Sequence, residues 1–208
     1  MSLQDVKDHL VAYDNITPER LRQNLVDFLE RVASVAQDLV IRLCCHPDDP
    51  PFPLMGLPRI MSTEADYAAI MKAIDVPANG ITLCSGSLSV RGDSDLPGMM
   101  RRWGDWVHFI HLRNIRRDSS TVPCSFHESV HIDGDVDMVP LIREILAEEA
   151  RRRASGRADH NIAFRPDHGL HMTDDNARGG LPGYPLVGRQ VGLAELRGIV
   201  TALETSAP

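Results

Sequence analysis

Leu39-Val40-Ile41-Arg42-Leu43-Cys44-Cys45 runs straight into His46-Pro47-Asp48-Asp49-Pro50-Pro51. The first run is apolar except for Arg42 and too short for a typical helix, so it suits a buried strand. The prolines that follow lack the N–H groups a sheet ladder needs, so the strand stops there and a loop begins with a histidine at its head. Upstream, Thr17 stands before Pro18 as a helix N-cap, with proline at the first helical position. Leu21, Leu25, Phe28, Leu29, Val32 and Ala36 then recur at helical spacing.

The same grammar continues along the chain. A helix over 64–74 precedes a strand over 81–84, a helix over 96–103 precedes a strand over 107–112, and a helix over about 139–153 precedes a strand over 162–164. Leu193, Leu196, Ile199, Val200 and Leu203 mark a last helix. Helices alternating with short apolar strands predict an α/β fold with a parallel sheet under helical cover. No glycine-rich GxGxxG follows a strand, and the distinctive residues collect just past strand ends, where a TIM (β/α)8 barrel gathers its site. Only four strands stand out against the eight of a closed barrel, so the chain reads as about half of one. No repeat, low-complexity tract or linker divides it, and residues 1–208 are expected to form a single domain.

Composition narrows the function. At 208 residues, 43% of them hydrophobic, the chain can bury a substantial core. A formal charge of −7 argues against a nucleic-acid binder, which needs a basic face. No apolar run is long enough to span a bilayer and no signal-peptide core opens the chain, so no membrane partner and a cytoplasmic location are expected. The four cysteines form no CxxC pair, which favours reduced thiols over disulfides.

Four strand ends each carry a metal-type ligand: His46, Cys84, His111 and Asp167. Singly, Cys84 reads equally as a small buried hydrophobe, His46 and Asp167 as turn or helix caps, and His111 as a core histidine. Together, at successive parallel strand ends, they point to one divalent ion. His108 and His111 are three residues apart and face opposite sides of their strand, so only one, His111, is assigned to the site. Mixed nitrogen, sulfur and oxygen donors suit zinc, iron or manganese.

His168, next to Asp167, is a candidate base. Tyr184, after Gly179-Gly180-Leu181-Pro182-Gly183, is either a candidate acid or a packing residue. Arg113, Arg165 and Arg189 are candidates for gripping a carboxylate, or are paired with nearby acids. The segment 114–137, with Phe126-His127-Glu128, exceeds ordinary connection lengths and reads as a lid or binding loop.

These motifs, in order, resemble mannonate dehydratase, a family of metal-dependent enzymes of hexuronate breakdown with a xylose-isomerase-like TIM barrel. The resemblance runs through His46-Pro47-Asp48-Asp49-Pro50-Pro51, Gly56-Leu57-Pro58-Arg59-Ile60, Cys84-Ser85-Gly86-Ser87, His111-Leu112-Arg113-Asn114, Phe126-His127-Glu128, Gly134-Asp135-Val136-Asp137-Met138, Arg165-Pro166-Asp167-His168-Gly169, Pro182-Gly183-Tyr184 and Gly192-Leu193-Ala194-Glu195-Leu196-Arg197-Gly198. It implies that His46, Cys84, His111 and Asp167 hold a divalent ion, usually manganese, with iron(II) as the alternative and zinc behind them. It also implies that His168 and Tyr184 serve catalysis as base and acid, in either assignment. Arg113, Arg165 and His127 are carried as substrate-binding candidates. The implied reaction is dehydration of D-mannonate, a small sugar acid, to 2-dehydro-3-deoxy-D-gluconate in glucuronate catabolism.

Three departures stand out. Asp167-His168-Gly169-Leu170-His171 replaces the usual Asp-His-Gly-His-Gln, Leu181 stands where asparagine is usual, and the resemblance covers only the carboxyl-terminal part of the family's chain. A homo-oligomer, most simply a dimer completing the barrel, is therefore expected, because unpaired sheet edges seek partners. Two other readings are a noncatalytic metal-binding half-barrel that self-associates and a sugar isomerase or epimerase of the same barrel type.

Overall fold

In a computed structural model describing residues 2–206, the elements follow as α1 (Leu3–Val11), α2 (Pro18–Asp38), β1 (Leu43–Cys45), α3 (Glu64–Ala73), β2 (Asn79–Cys84), α4 (Ser85–Ser89), α5 (Leu96–Trp103), β3 (Val107–His111), β4 (Ile115–Arg117), β5 (Phe126–Glu128), α6 (Met138–Ala154), β6 (Ala163–Arg165) and α7 (Leu186–Thr205). Among the described residues, β1, β2, β3 and β6 lie side by side in that order as one sheet, every pair parallel. The helical cover packs on one face. Ile81, Leu83, Val107 and Ile110 of the strands meet Tyr67, Ile70 and Met71 of α3, Met99 and Met100 of α5, and Leu141, Ile142 and Ile145 of α6 in one buried cluster. Every residue of β2, an inner strand flanked by β1 and β3, is buried, whereas Ala163 and Arg165 of the edge strand β6 are exposed.

Helix starts follow local chemistry. Thr17 accepts a hydrogen bond from Arg20 N, Thr63 and Asp66 form a reciprocal capping box, and Asp95 accepts from Gly98 N at 2.9 Å. Among the described residues no helix is long and apolar enough to cross a membrane.

The sequence reading needs correction at four places. The strand expected over 39–45 is shorter, because α2 ends in a Schellman turn: Val40 N donates to Gln37 O and Ile41 N to Ala36 O. Val40 occupies the left-handed position of that turn, where glycine is usual, at φ 57°. Phe28, expected on the buried stripe of α2, is 57% exposed, while Leu29, Ala33 and Ala36 are buried. The segment 114–137, expected as one long lid or binding loop, contains a hairpin, because β4 and β5 pair antiparallel within it. Asn114 braces that hairpin, donating to His131 O and Val136 O and accepting from Val136 N.

The last helix also begins earlier than its apolar spacing indicates. Asp175, buried, accepts from Val187 N at 2.8 Å and Gly188 N at 3.0 Å, supplying the first turn of α7 with acceptors from outside the helix. Gly188 is required there, since a Cβ would collide with the Leu170 carbonyl oxygen.

Candidate metal centre

The sheet register lines the strand ends up. Cys84 is paired with His111, and His111 with Arg165, so the last residues of β2, β3 and β6 stand level. His46 follows the last residue of β1, and Asp167 lies two residues past β6. The ligand atoms of His46, Cys84 and His111 lie within 4.8 Å of one another. Asp167 joins them, with Oδ2 3.3 Å from His111 Nδ1. Cys84, His111 and Asp167 are buried, while His46 closes the exposed side.

The backbone at Asp167 carries strain, with a φ of 63°, a region disfavoured for side chains other than glycine. Such conformations persist where the surroundings over-determine them, and they cluster at functional sites. Here the cause is visible. Asp167 Oδ1 accepts from Arg165 Nη2 at 2.8 Å, which leaves Oδ2 facing His111.

The donors fit a divalent cation. His46 Nδ1 faces the Pro47 carbonyl oxygen at 2.7 Å, and because a carbonyl only accepts, Nδ1 carries the proton. In the neutral ring Nε2 is then a bare lone pair, and it faces His111 Nδ1 at 3.1 Å. Orienting an imidazole through a hydrogen bond at its other nitrogen is the usual arrangement behind a metal-bound histidine. Ligands about 2.0–2.3 Å from a common ion sit slightly over 3 Å apart, as His111 Nδ1 does from His46 Nε2 at 3.1 Å and from Asp167 Oδ2 at 3.3 Å. Burial works against a charge on His111, yet the Asp167 carboxylate and the Cys84 sulfur outweigh it and hold its pKa above the usual value. Burial likewise works against ionised Asp167, but His111, His168 and Arg165 pull its pKa down to about 2.

Beside the cluster lie the two candidate proton carriers. His168 Nε2 is 3.9 Å from Asp167 Oδ2, and its ring meets the Tyr184 ring edge-on with centroids 4.6 Å apart. Gly169 N donates to Gly183 O, which ties the two loops together, and the Arg189 guanidinium lies over the Tyr184 ring.

Two substrate-binding candidates are not where they were expected. Alternation along β5 sends His127 outward, where its nearest acid is exposed Asp118 at 3.7 Å, so it is not brought to the cluster. Its neighbour Glu128 faces the site instead and accepts from His168 at 2.8 Å. Sequence reading passed over Glu128, although the period of two around Phe126-His127-Glu128 holds the signal once β5 is recognised as a strand. Arg113 is buried and committed to protein acids, donating to Glu128 and to Asp49. Arg165 does stand at the cluster, half exposed, with one nitrogen on Asp167.

A helix-covered parallel sheet with a ligand-bearing residue at or just beyond each strand's carboxyl end defines the class: the (β/α) barrel proteins that build their sites on that rim. A family model described as D-mannonate dehydratase (UxuA) matches residues 1–207, and the chain belongs to that family. Mannonate dehydratase 1 of Agrobacterium fabrum is 54% identical over 202 residues, and mannonate dehydratase of Brucella canis is 50% identical over 207. These matches cover 97% and 100% of this chain but 50% of each relative, so the chain spans about half the length of the curated relatives it matches. The crystal structure of mannonate dehydratase from Streptococcus suis superposes with a TM-score of 0.78 at 28% identity, covering 91% of this chain and 51% of that one. A xylose isomerase domain protein from Planctomyces limnophilus, 13% identical with a TM-score of 0.58 and covering 91% of this chain and 55% of that one, shares the fold alone. The chain is thus the α/β, partial-barrel part of a xylose-isomerase-like TIM fold.

Proposed function

We propose that this chain carries the metal and proton-transfer half of a mannonate dehydratase, a hydro-lyase that converts D-mannonate to 2-dehydro-3-deoxy-D-gluconate. The observation that carries the reading is the convergence of four ligand-type side chains beside the His168–Tyr184 pair, in a chain of that family. His46, Cys84, His111 and Asp167 would hold the ion, with manganese the first choice, then iron(II), then zinc. When bound, a divalent cation supplies Lewis-acid stabilisation of the negative charge that develops next to the substrate carboxylate.

The chain's own residues supply the rest. His168 removes the proton from C2, the C2–H electron pair becomes the C2–C3 double bond, and the C3 hydroxyl leaves as water on taking a proton from Tyr184. The resulting enol becomes the 2-keto acid by taking up a proton at C3 as its C2 hydroxyl loses one and the O–H electron pair forms the C2=O bond. Arg165, half exposed at the rim with donors to spare, is suited to the substrate carboxylate.

Four free cysteines fit the expected cytoplasmic setting. The exposed outer strand β6 and Val40, 82% exposed at the other margin, support pairing of two copies. The purified chain with manganese and D-mannonate is expected to form the keto acid, and His168→Asn is expected to keep the ion while losing turnover. Bound metal without any turnover in the unmodified chain would instead favour a noncatalytic metal-binding half-barrel. Light scattering that finds only monomer would count against the dimer.

A further inference from the structure

A chain of charged groups that the proposed dehydration does not itself require runs behind His168. Glu128 Oε1 faces His168 Nδ1 at 2.8 Å. The same carboxylate is gripped by Arg113, whose Nε donates to Oε2 at 3.0 Å and Nη2 to Oε1 at 2.6 Å. The remaining arm of Arg113, Nη1, donates to Asp49 Oδ2 at 2.6 Å. Asp49 follows β1, Arg113 follows β3, Glu128 is on β5 and His168 follows β6, so the chain ties three rim loops and the hairpin together.

The chemistry of these groups fixes a proton position. Burial works against an ionised Glu128, but His168 and Arg113 outweigh it and hold its pKa below the usual value. An ionised carboxylate only accepts hydrogen bonds, so the ring nitrogen facing it must carry the hydrogen. In the neutral imidazole the other nitrogen, Nε2, is then the bare one, and it lies on the metal-centre side, 3.9 Å from Asp167 Oδ2.

We infer that Glu128, clamped by Arg113, is the positioning residue that holds His168 as its Nδ1–H tautomer and leaves Nε2 free to accept the substrate's proton. The inference deepens the proposed dehydration and rests on its assignment of His168 as base. Geometry supports the directionality. Gly183 approaches the Nδ1 edge so closely that a Cβ there would lie 3.3 Å from that nitrogen, so the edge facing Glu128 is enclosed by protein. A histidine held in the wrong tautomer presents a hydrogen where a lone pair is needed, and a carboxylate behind the ring prevents this.

Long-range proton–nitrogen NMR spectra of the full chain, labelled at histidine nitrogen and loaded with diamagnetic zinc, read the tautomer directly above the histidine titration range. His168→Gln identifies the signal. His168 is expected as Nδ1–H with a bare Nε2, and Glu128→Ala is expected to shift its population toward Nε2–H. If Glu128→Ala fails to fold, Glu128→Gln keeps an acceptor oxygen toward the ring and is expected to retain Nδ1–H. An Nε2–H His168 in the unmodified chain overturns the inference, as does an unchanged tautomer in folded Glu128→Ala or loss of Nδ1–H in Glu128→Gln. These spectra read no turnover, so a chain that fails to dehydrate mannonate yet shows Nδ1–H sinks the functional reading and leaves standing only the positioning of the ring by Glu128. Where turnover is present, Glu128→Ala is expected to lower kcat on the order of 100-fold with KM nearly unchanged.

Discussion

Gly86 lies directly against the side chain of Arg113, so close that a Cβ on the glycine would overlap Cγ and Cδ of the arginine. Gly86 belongs to the short helix α4 that follows Cys84, and Arg113 is the buried clamp on Glu128. Arg113 cannot yield easily, since three of its nitrogens are hydrogen-bonded. Gly86→Ala is therefore expected to destabilise the chain by about 1–3 kcal/mol, as overpacking does, read as a lower urea midpoint. An unchanged midpoint would show that the clamp is looser than its contacts imply.

Metal loading should appear as stability. A ligand that binds only the folded chain adds about 2.7 kcal/mol at a hundred times its dissociation constant, which for a chain of this length raises Tm by roughly 5–10 °C. Cys84 is buried, with Ser87 Oγ donating to its sulfur at 3.2 Å. Replacing this proposed ligand should cost affinity at least as much as the ~10–100-fold that loss of an outer partner costs. Cys84→Ser is thus expected to shrink the manganese-dependent rise in Tm. An equal rise in both proteins would place the ion elsewhere.

The bulge at the amino end of β3 overturns the expectation that His108 and His111 face opposite sides. His108 packs beside Gly80 on the face that Cys84 and His111 share, and there it gives stability a pH dependence of its own. Burial, with Arg42 and Arg152 nearby, lowers its pKa to about 4 from 6.5, and Asp159 only partly offsets them. Its Nε2 faces Pro77 O at 3.1 Å, and its buried Nδ1 has no partner. Between pH 6.5 and 4 the unfolded chain binds a proton that the folded chain refuses, so stability is full above 6.5 and falls as pH drops through that window. The contribution is on the order of 1–2 kcal/mol once partial exposure is allowed for. Urea midpoints at pH 7.5 and about 4.5 are expected to differ less in His108→Gln than in the unmodified chain. Equal differences in the two proteins would remove His108 as the cause.

At the amino end of the sheet, Arg152 is 2% exposed and donates to Glu148 Oε1, Gly104 O, Val107 O and Asp159 O. Arg152→Ala leaves Glu148, also buried, without this partner and orphans buried carbonyls. Breaking one side of a buried pair costs about 3–5 kcal/mol, so this variant should be much less stable than Arg101→Ala, whose exposed pair with Glu144 is worth about 1 kcal/mol or less. Similar denaturation midpoints for the two variants would contradict this ranking.

Strand and helix order was legible because the core is patterned simply. Leu83, Ile110 and Ile145 sit in apolar runs whose period announces the element, and His46, Cys84, His111 and Asp167 mark where those runs stop. What escaped the sequence reading depends on tertiary partners. Val40 adopts a left-handed turn with no glycine to announce it, and the first turn of α7 relies on Asp175, eleven residues before Leu186. Arg113 reads from the sequence as either a substrate ligand or a partner of nearby acids, and nothing local shows that Asp49, 64 positions away, and Glu128, 15 away, are those acids. His127 and Glu128 exchanged places in the argument because a hairpin inside a long polar segment carries too few apolar residues to announce its alternation.

The four residues proposed as ligands stand at or just past the ends of strands β1, β2, β3 and β6, which are immediate neighbours with no gap between them. They form a contiguous arc, so the proposed grip on a cation draws on one side of the barrel. On the proposed reading this arc carries both ion capture and proton handling. Loading of the ion and turnover should then respond separately when a polypeptide supplying the complementary arc is added, the first staying level and the second rising.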